Sequence, residues 1–222
     1  MSNVAIILGA GNGTRMKSEV SKLLLTIDGK TVLQRSVEAF LCVSDIDEVI
    51  ITARQQDVEE FANIIDNERV TFVIGGDTRQ QSVANAIDTI EDAQLVAIHD
   101  GARPLVTPRV IEDTLRAATE YGAAATGIMV KDTIKVIDDD GFVVNTPARS
   151  TLFAVQTPQI FDFALYKDAL ELAKHHNKDF TDDCQLIEYY NKPVKMVMGD
   201  YSNIKITTPE DIPLAENILH SR

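Results

Sequence analysis

The chain has 222 residues, 45% of them apolar and 25% charged, with a formal net charge of −13. That is the composition of a soluble globular protein long enough to bury a large core. No apolar run is long enough to span a bilayer, so no membrane role is expected, and the acidic balance argues against nucleic acid as a partner, which calls for a basic face.

The N-terminus does not read as a signal peptide, because Met1-Ser2-Asn3 lacks a basic region and a glycine-rich loop follows at once. Cys42 and Cys184 sit in apolar surroundings without metal or redox spacing. Both features predict a cytoplasmic protein with reduced thiols.

Val4 to Leu8 is an uninterrupted apolar run and predicts a buried parallel strand. The loop after it, Gly9-Ala10-Gly11-Asn12-Gly13-Thr14-Arg15-Met16, carries three glycines, and Lys22 follows. Closely spaced glycines let the backbone turn tightly and aim successive N–H groups at one point, which makes an anion site. Arg15 and Lys22 add two full charges, so the loop is expected to bind phosphate. It is not a dinucleotide fingerprint, because Thr14 stands where the third glycine is required, and no Gly-Lys-Ser/Thr of a P-loop occurs.

Strand and helix signals then alternate. Helices are predicted for Val32–Leu41, Asp57–Ile65, Thr107–Tyr121 and Phe161–Lys174. Ser82–Ile90 continues a helix with Ser82 one turn in, Thr181-Asp182-Asp183 caps another running to about Tyr189, and one more runs from Thr208 onward. Strands are predicted at 49–52, 70–74, 95–98, 123–130 and 194–197. Such alternation makes a mostly parallel sheet with helices on both faces. One stretch departs from it. Thr133–Ile137 and Phe142–Val144 flank Asp138-Asp139-Asp140-Gly141, which reads as a β-hairpin. A lone hairpin is marginal in water, so this one is expected to pack on something, such as a second subunit. No repeat or linker interrupts the chain, which predicts one α/β, Rossmann-like domain over 1–222 with a hairpin arm at about 132–150.

Ligands of open α/β sheets bind beyond the carboxyl ends of the strands. The polar residues there are Gly11, Arg15 and Lys22 after the first strand; Gly75, Gly76, Asp77, Arg79 and Ser82 after the third; and His99 to Pro104 after the fourth. Arg149, Gln156 to Gln159 and Lys205 lie further along. Taken singly, several have ordinary explanations: Asp77 as a helix cap, Lys205 as a snorkelling edge residue, His99 as a packing residue, His175-His176 as solvated. As a set they gather basic residues at strand ends in an acidic protein.

Five blocks carry a family resemblance: Gly9 to Met16 with Lys22, Gly75-Gly76-Asp77-x-Arg79-x-x-Ser82, His99 to Pro104, Arg149 with Gln156-Thr157-Pro158-Gln159, and Asn203 to Thr207. In this order, over almost the whole chain, they resemble the 2-C-methyl-D-erythritol 4-phosphate cytidylyltransferases of the non-mevalonate isoprenoid pathway. The chain departs from the family pattern at Leu23-Leu24 after the loop lysine and at Leu152-Phe153 before the Gln-Thr-Pro-Gln block. Ribitol-5-phosphate cytidylyltransferases resemble the family closely and are the alternative for the acceptor.

The resemblance implies that Ala10, Gly11 and Gly13 hold the CTP phosphates and that Gly76, Asp77 and Ser82 recognise cytosine. Arg15 and Lys22 would stabilise charge at the α-phosphate. Asp100 would lie near the ribose and the metal-bound phosphates, with Mg²⁺ or another divalent cation held mainly by CTP. Arg103, Thr133, Arg149, Thr157 and Lys205 would hold the acceptor phosphate, Arg149 and Lys205 positioning it for attack. The hairpin would be exchanged across a homodimer, taking Thr133 and Arg149 to the neighbouring subunit. A phosphate-monoester nucleophile is already anionic, so no general base is required, and NAD-dependent oxidation or nucleotide sensing alone would leave these acceptor-positioning groups unexplained.

Overall fold

The structure, a computed structural model, describes residues 2–11 and 21–222. Its strands are β1 (Asn3–Leu8), β2 (Thr26–Ile27), β3 (Lys30–Thr31), β4 (Glu48–Ala53), β5 (Val70–Ile74), β6 (Leu95–Asp100), β7 (Ala123–Met129), β8 (Val136–Ile137), β9 (Val143–Asn145), β10 (Phe153–Asp162) and β11 (Lys195–Met198). The helices are α1 (Val32–Leu41), α2 (Val58–Ile64), α3 (Arg79–Ile87), α4 (Pro108–Tyr121), α5 (Phe163–His175), α6 (Asp183–Tyr189) and α7 (Asp211–His220).

Seven strands form one sheet in the order β11-β7-β10-β6-β1-β4-β5. β1 is central and parallel to both neighbours, with Ile6 opposite Ile50 on β4 and Ile98 on β6. Its run is apolar throughout because both faces of the sheet are covered. Alternate side chains go to opposite sides: Ala5, Ile7, Val49, Ile51 and Ala97 pack with α1, α2 and α4, whereas Val4, Ile6, Ile50, Val96 and Ile98 pack with α3, α5 and α6. Each fully buried isoleucine or phenylalanine of these layers contributes about 1.5–3 kcal/mol.

Local chemistry sets the helix ends. Thr31 with Gln34 and Thr78 with Gln81 form capping boxes at the starts of α1 and α3. Thr107 caps α4, Pro108 occupies its first turn, and Gly122 ends it in the left-handed conformation at φ 80°.

The structure corrects the sequence reading in three places. First, residues 153–162 are a strand, and α5 begins only at Phe163. β10 runs antiparallel between β6 and β7, so the sheet is mostly and not wholly parallel. Polar Gln156, Thr157 and Gln159 hide it, and Pro158 argues against a central strand. The proline is accommodated where the register with β7 shifts between Val155 and Gln159. Second, His99 and Asp100 are the last residues of β6 and do not follow it. Third, the last helix, α7, starts at Asp211 and not at Thr208. The Asp211 carboxylate accepts from the backbone N–H groups of Thr207 and Thr208, at 2.7 and 2.9 Å, and holds that segment outside the helix.

β8 and β9 pair across the Asp138–Gly141 turn as the Asp-Gly signal predicts. Phe142, Val143 and Val144 on this hairpin are 71%, 57% and 61% exposed, so the hairpin buries no apolar face within its own chain.

Candidate active site

The sheet reverses direction at β1. β4 and β5 extend it to one side, and the chain then returns to place β6 on the other. A crevice opens at such a switch point, beyond the carboxyl ends of the strands. Here it is an open cleft of about 610 Å³. Gly9, Ala10 and Gly11 enter it from β1, Gly75 to Arg79 from β5, Asp100 from β6 and Lys205 from the segment before α7.

Close packing of backbones shapes this mouth. A Cβ on Gly9 would lie 2.6 Å from Thr52 O, and one on Gly75 would lie 2.3 Å from the Ala10 Cβ. Both distances are shorter than side-chain carbons tolerate, so glycine is what lets the first loop, β4 and the 75–78 loop meet. The Ser82 hydroxyl, one turn into α3, accepts from Gly76 N at 3.1 Å and donates to Thr78 O at 2.9 Å. Gln81 Oε1 accepts from Asp77 N at 3.0 Å. The loop is therefore tied down by its own helix before any ligand arrives.

Asp100 is the electrostatic centre. Lys205 Nζ is 2.6 Å from its Oδ2, and the Nε atoms of Arg79 and Arg103 each lie 3.8 Å from the carboxylate. Burial alone would raise this carboxyl, but the three cations outweigh burial and hold it down at about 2. Lys22 comes from the far end of the sequence to the same place. Its Nζ donates to Ile206 O at 2.9 Å, next to Lys205.

A buried polar chain supports Asp100 from behind. His99 is wholly buried, and burial pushes it down to about 4, so it is neutral. Its Nε2 faces Arg103 O at 3.2 Å, which can only accept, so Nε2 carries the proton. Nδ1 then accepts from the Thr157 hydroxyl at 3.0 Å, and that hydroxyl oxygen accepts from Asp100 N at 3.0 Å. Asn203, also fully buried, donates to Thr157 O and accepts the Arg103 guanidinium on its carbonyl at 2.8 Å.

Of the residues singled out from the sequence, Ala10, Gly11, Lys22, Gly76, Asp77, Ser82, Asp100 and Lys205 line the cleft. Arg103 and Thr157 lie immediately behind it. Thr133 and Arg149 are exposed on the arm, where Arg149 Nη1 donates to Lys131 O, and they do not reach the cleft of their own chain. Gly13 and Arg15 lie outside the described residues.

Sequence reasoning gave no role to Arg79, which pairs with Asp100 and Asp183, or to Arg54, which lines the cleft and pairs with Asp57. Arg79 stood in the right block and Arg54 directly follows β4, so strand-end position was the available signal. Among the described residues the carboxylates lining the cleft are Asp77 and Asp100. Among the described residues no three His, Cys, Asp or Glu side chains assemble a metal cage. Asp100, ionised at the mouth, fits a single protein oxygen on a hard divalent cation whose other ligands are phosphate and water. Among the described residues no helix is long and apolar enough to cross a membrane.

Backbone amides at a switch point, a preformed loop beside them and lysines gathered from distant segments of an acidic chain suit a triphosphate held against a second anion. That is the architecture of a nucleotidyltransferase. The 2-C-methyl-D-erythritol 4-phosphate cytidylyltransferase (IspD) family profile matches residues 3–221. A protein of that name from Clostridium botulinum is 44% identical, covering 98% of this chain and 97% of its own. One from Clostridium perfringens is 43% identical over 97% and 98% of the two chains. Among solved structures, a 4-diphosphocytidyl-2C-methyl-D-erythritol synthase from Anaerococcus prevotii superposes with a TM-score of 0.90 at 35% identity, covering 99% of this chain and 96% of that one. A cytidylyltransferase of the family from Thermus thermophilus gives 0.81 at 30% identity, with 99% and 100% covered. The chain belongs to the 2-C-methyl-D-erythritol 4-phosphate cytidylyltransferase family.

Proposed function

We propose that this chain transfers CMP from CTP to 2-C-methyl-D-erythritol 4-phosphate, giving 4-diphosphocytidyl-2-C-methyl-D-erythritol and pyrophosphate, in isoprenoid precursor synthesis. The observation that carries the residue-level reading is that Lys22 and Lys205, far apart in sequence, line the same cleft, with Lys22 Nζ donating to the carbonyl of Ile206, the residue after Lys205.

An acceptor phosphate oxygen attacks the α-phosphorus of CTP. The new P–O bond forms as the bond to the β-phosphate oxygen breaks, and pyrophosphate leaves with that electron pair. The nucleophile is anionic near neutral pH and needs no base, so catalysis rests on alignment and charge neutralisation. In this reading Ala10 and Gly11, with Gly13, present amides to the phosphates, and Gly76, Asp77 and Ser82 read the cytosine. Lys22, with Arg15, meets charge growing at the α-phosphate. Lys205 and Arg103 hold the acceptor phosphate, and Thr157 fixes the Asp100 backbone beside it. Asp100 would give one oxygen to Mg²⁺, which when bound neutralises triphosphate charge and polarises phosphorus. Covered by Lys205, Arg79 and Arg103, this carboxylate presents little net repulsion to an incoming triphosphate.

The reading extends to assembly: a single domain over 1–222 whose arm, about 132–150, pairs with a second copy. Its support is the exposed apolar face of the hairpin and the distance of Thr133 and Arg149 from their own cleft, which suits service to the neighbour's site. Two unpaired cysteines, Cys42 and Cys184, suit a cytoplasmic location.

The test is pyrophosphate release from CTP and Mg²⁺, with 2-C-methyl-D-erythritol 4-phosphate and ribitol 5-phosphate as parallel acceptors. Fast release with the first and background release with the second is expected. Release with ribitol 5-phosphate alone, or with neither, overturns the reading.

A further inference from the structure

Arg79 faces two ways. Its Nε lies 3.8 Å from Asp100 at the cleft, and its Nη2 lies 2.6 Å from Asp183 Oδ2 at the start of α6. Asp183 is 3% exposed and does not line the cleft. It is held from its other side by Tyr166 on α5, itself wholly buried, whose hydroxyl donates to Asp183 Oδ1 at 2.7 Å. The surrounding turn is also fixed, since Gln159 on β10 donates to Asp182 and accepts from Cys184 N. Keeping a carboxylate buried is costly unless it is paired, and nucleotidyl transfer makes no use of Asp183. Arg79 is also the first residue of α3, directly after the 75–78 loop. A guanidinium is a rigid planar fork, so its hold on one carboxylate constrains where it can present itself to the other.

We propose that Arg79 is a positioning residue, anchored by Asp183 and Tyr166, that sets the spacing between the 75–82 loop and the Asp100 carboxylate, so that Asp183 governs nucleotide binding from outside the cleft. This rests on the reading of that loop as the cytosine pocket. Without Asp183, Arg79 swings fully onto Asp100 and draws the first turn of α3 with it, spoiling the loop for the base.

The experiment measures the Kd of CTP–Mg²⁺ by calorimetry and steady-state kinetics for both substrates, with thermal unfolding as the folding control. The proteins are the unmodified chain, Asp183→Asn, Arg79→Lys, the double variant and Tyr166→Phe. Asp183→Asn keeps the side-chain volume. It is expected to bind CTP about tenfold more weakly, within the usual range of coupling between sites, a loss larger than any rise in KM for the acceptor phosphate. The double variant is expected to be no worse than the weaker single one, because both act through one contact. Tyr166→Phe, which loosens the anchor without removing charge, is expected to weaken CTP about threefold, and it decides the matter if Asp183→Asn does not fold. CTP affinity within twofold of the parent in a folded Asp183→Asn or, failing that, in Tyr166→Phe overturns the inference, as do losses that multiply in the double variant. Failure of the unmodified chain to bind CTP overturns the functional reading and this inference together.

Discussion

Replacing Asp100 by Asn tests the electrostatic centre of the cleft, because it keeps the shape and removes the charge that Lys205, Arg79 and Arg103 share. The carboxyl sits at about 2 against an ordinary 3.8, so the folded state favours its ionised form by about 2 kcal/mol. A folded value below the unfolded one contributes stability that is fully present above pH 3.8 and is lost as the pH falls toward 2. Asp100→Asn lacks that contribution at neutral pH and leaves three cations around a neutral amide. For a chain of this length each kcal/mol moves the unfolding midpoint by about 2–4 °C, so a drop of about 4–8 °C is expected. Thermal unfolding followed by circular dichroism reads it directly. Urea titrations at neutral and acid pH show whether the gap between parent and variant closes below pH 3.8. A midpoint within about 1 °C of the parent at neutral pH would mean that burial cancels the cations, and the account of the site's electrostatics would fail.

Lys22→Ala is expected to lower turnover by about 10²–10³, the loss of one transition-state charge partner worth roughly 3–4 kcal/mol, with an unchanged circular dichroism spectrum; near-normal turnover in the folded variant refutes the role. His99 is buried neutral, its value depressed from 6.5 to about 4, so its contribution is present above pH 6.5 and is lost as the pH falls toward 4, on the order of 3 kcal/mol. His99→Gln is expected to flatten the dependence of unfolding free energy on pH across that window, and an unaltered slope assigns the dependence elsewhere. Val144→Asp places a charge on the exposed face of the arm and is expected to turn a dimer into a monomer in sedimentation velocity; a parent chain that is itself monomeric removes the basis for the arm's role.

The layered α/β fold was legible because its signals are local. Val4 to Leu8 is apolar without a break, Val32 to Leu41 repeats at helical spacing, and Thr107-Pro108 and Gly122 mark the ends of α4. The hairpin was legible in the Asp-Gly turn. That Gly11, Lys22, Gly76, Asp77, Ser82, Asp100 and Lys205 would share one cleft was legible from their places at or after strand ends, which converge on one crevice in such sheets. β10 was not legible. Its Gln156, Thr157 and Gln159 are polar because they bond to Asp200, His99 and Asp182 inside the protein, and no local pattern distinguishes an internally satisfied polar strand from a loop.

By itself, then, the sequence determined most of the strands and helices and, through five spaced blocks, which family the chain belongs to. Tertiary structure alone decided which charges meet. Lys205 lies 105 residues from Asp100 and Lys22 lies 184 residues from Ile206, yet each pair is in contact. Arg79 was one basic residue among several until Asp183, more than a hundred residues later, was found within 2.6 Å of it. The physical reason is range: helix caps, turns and periodicity are set by neighbours within a few residues, whereas a buried charge takes its partner and its pKa from whatever the sheet topology brings beside it.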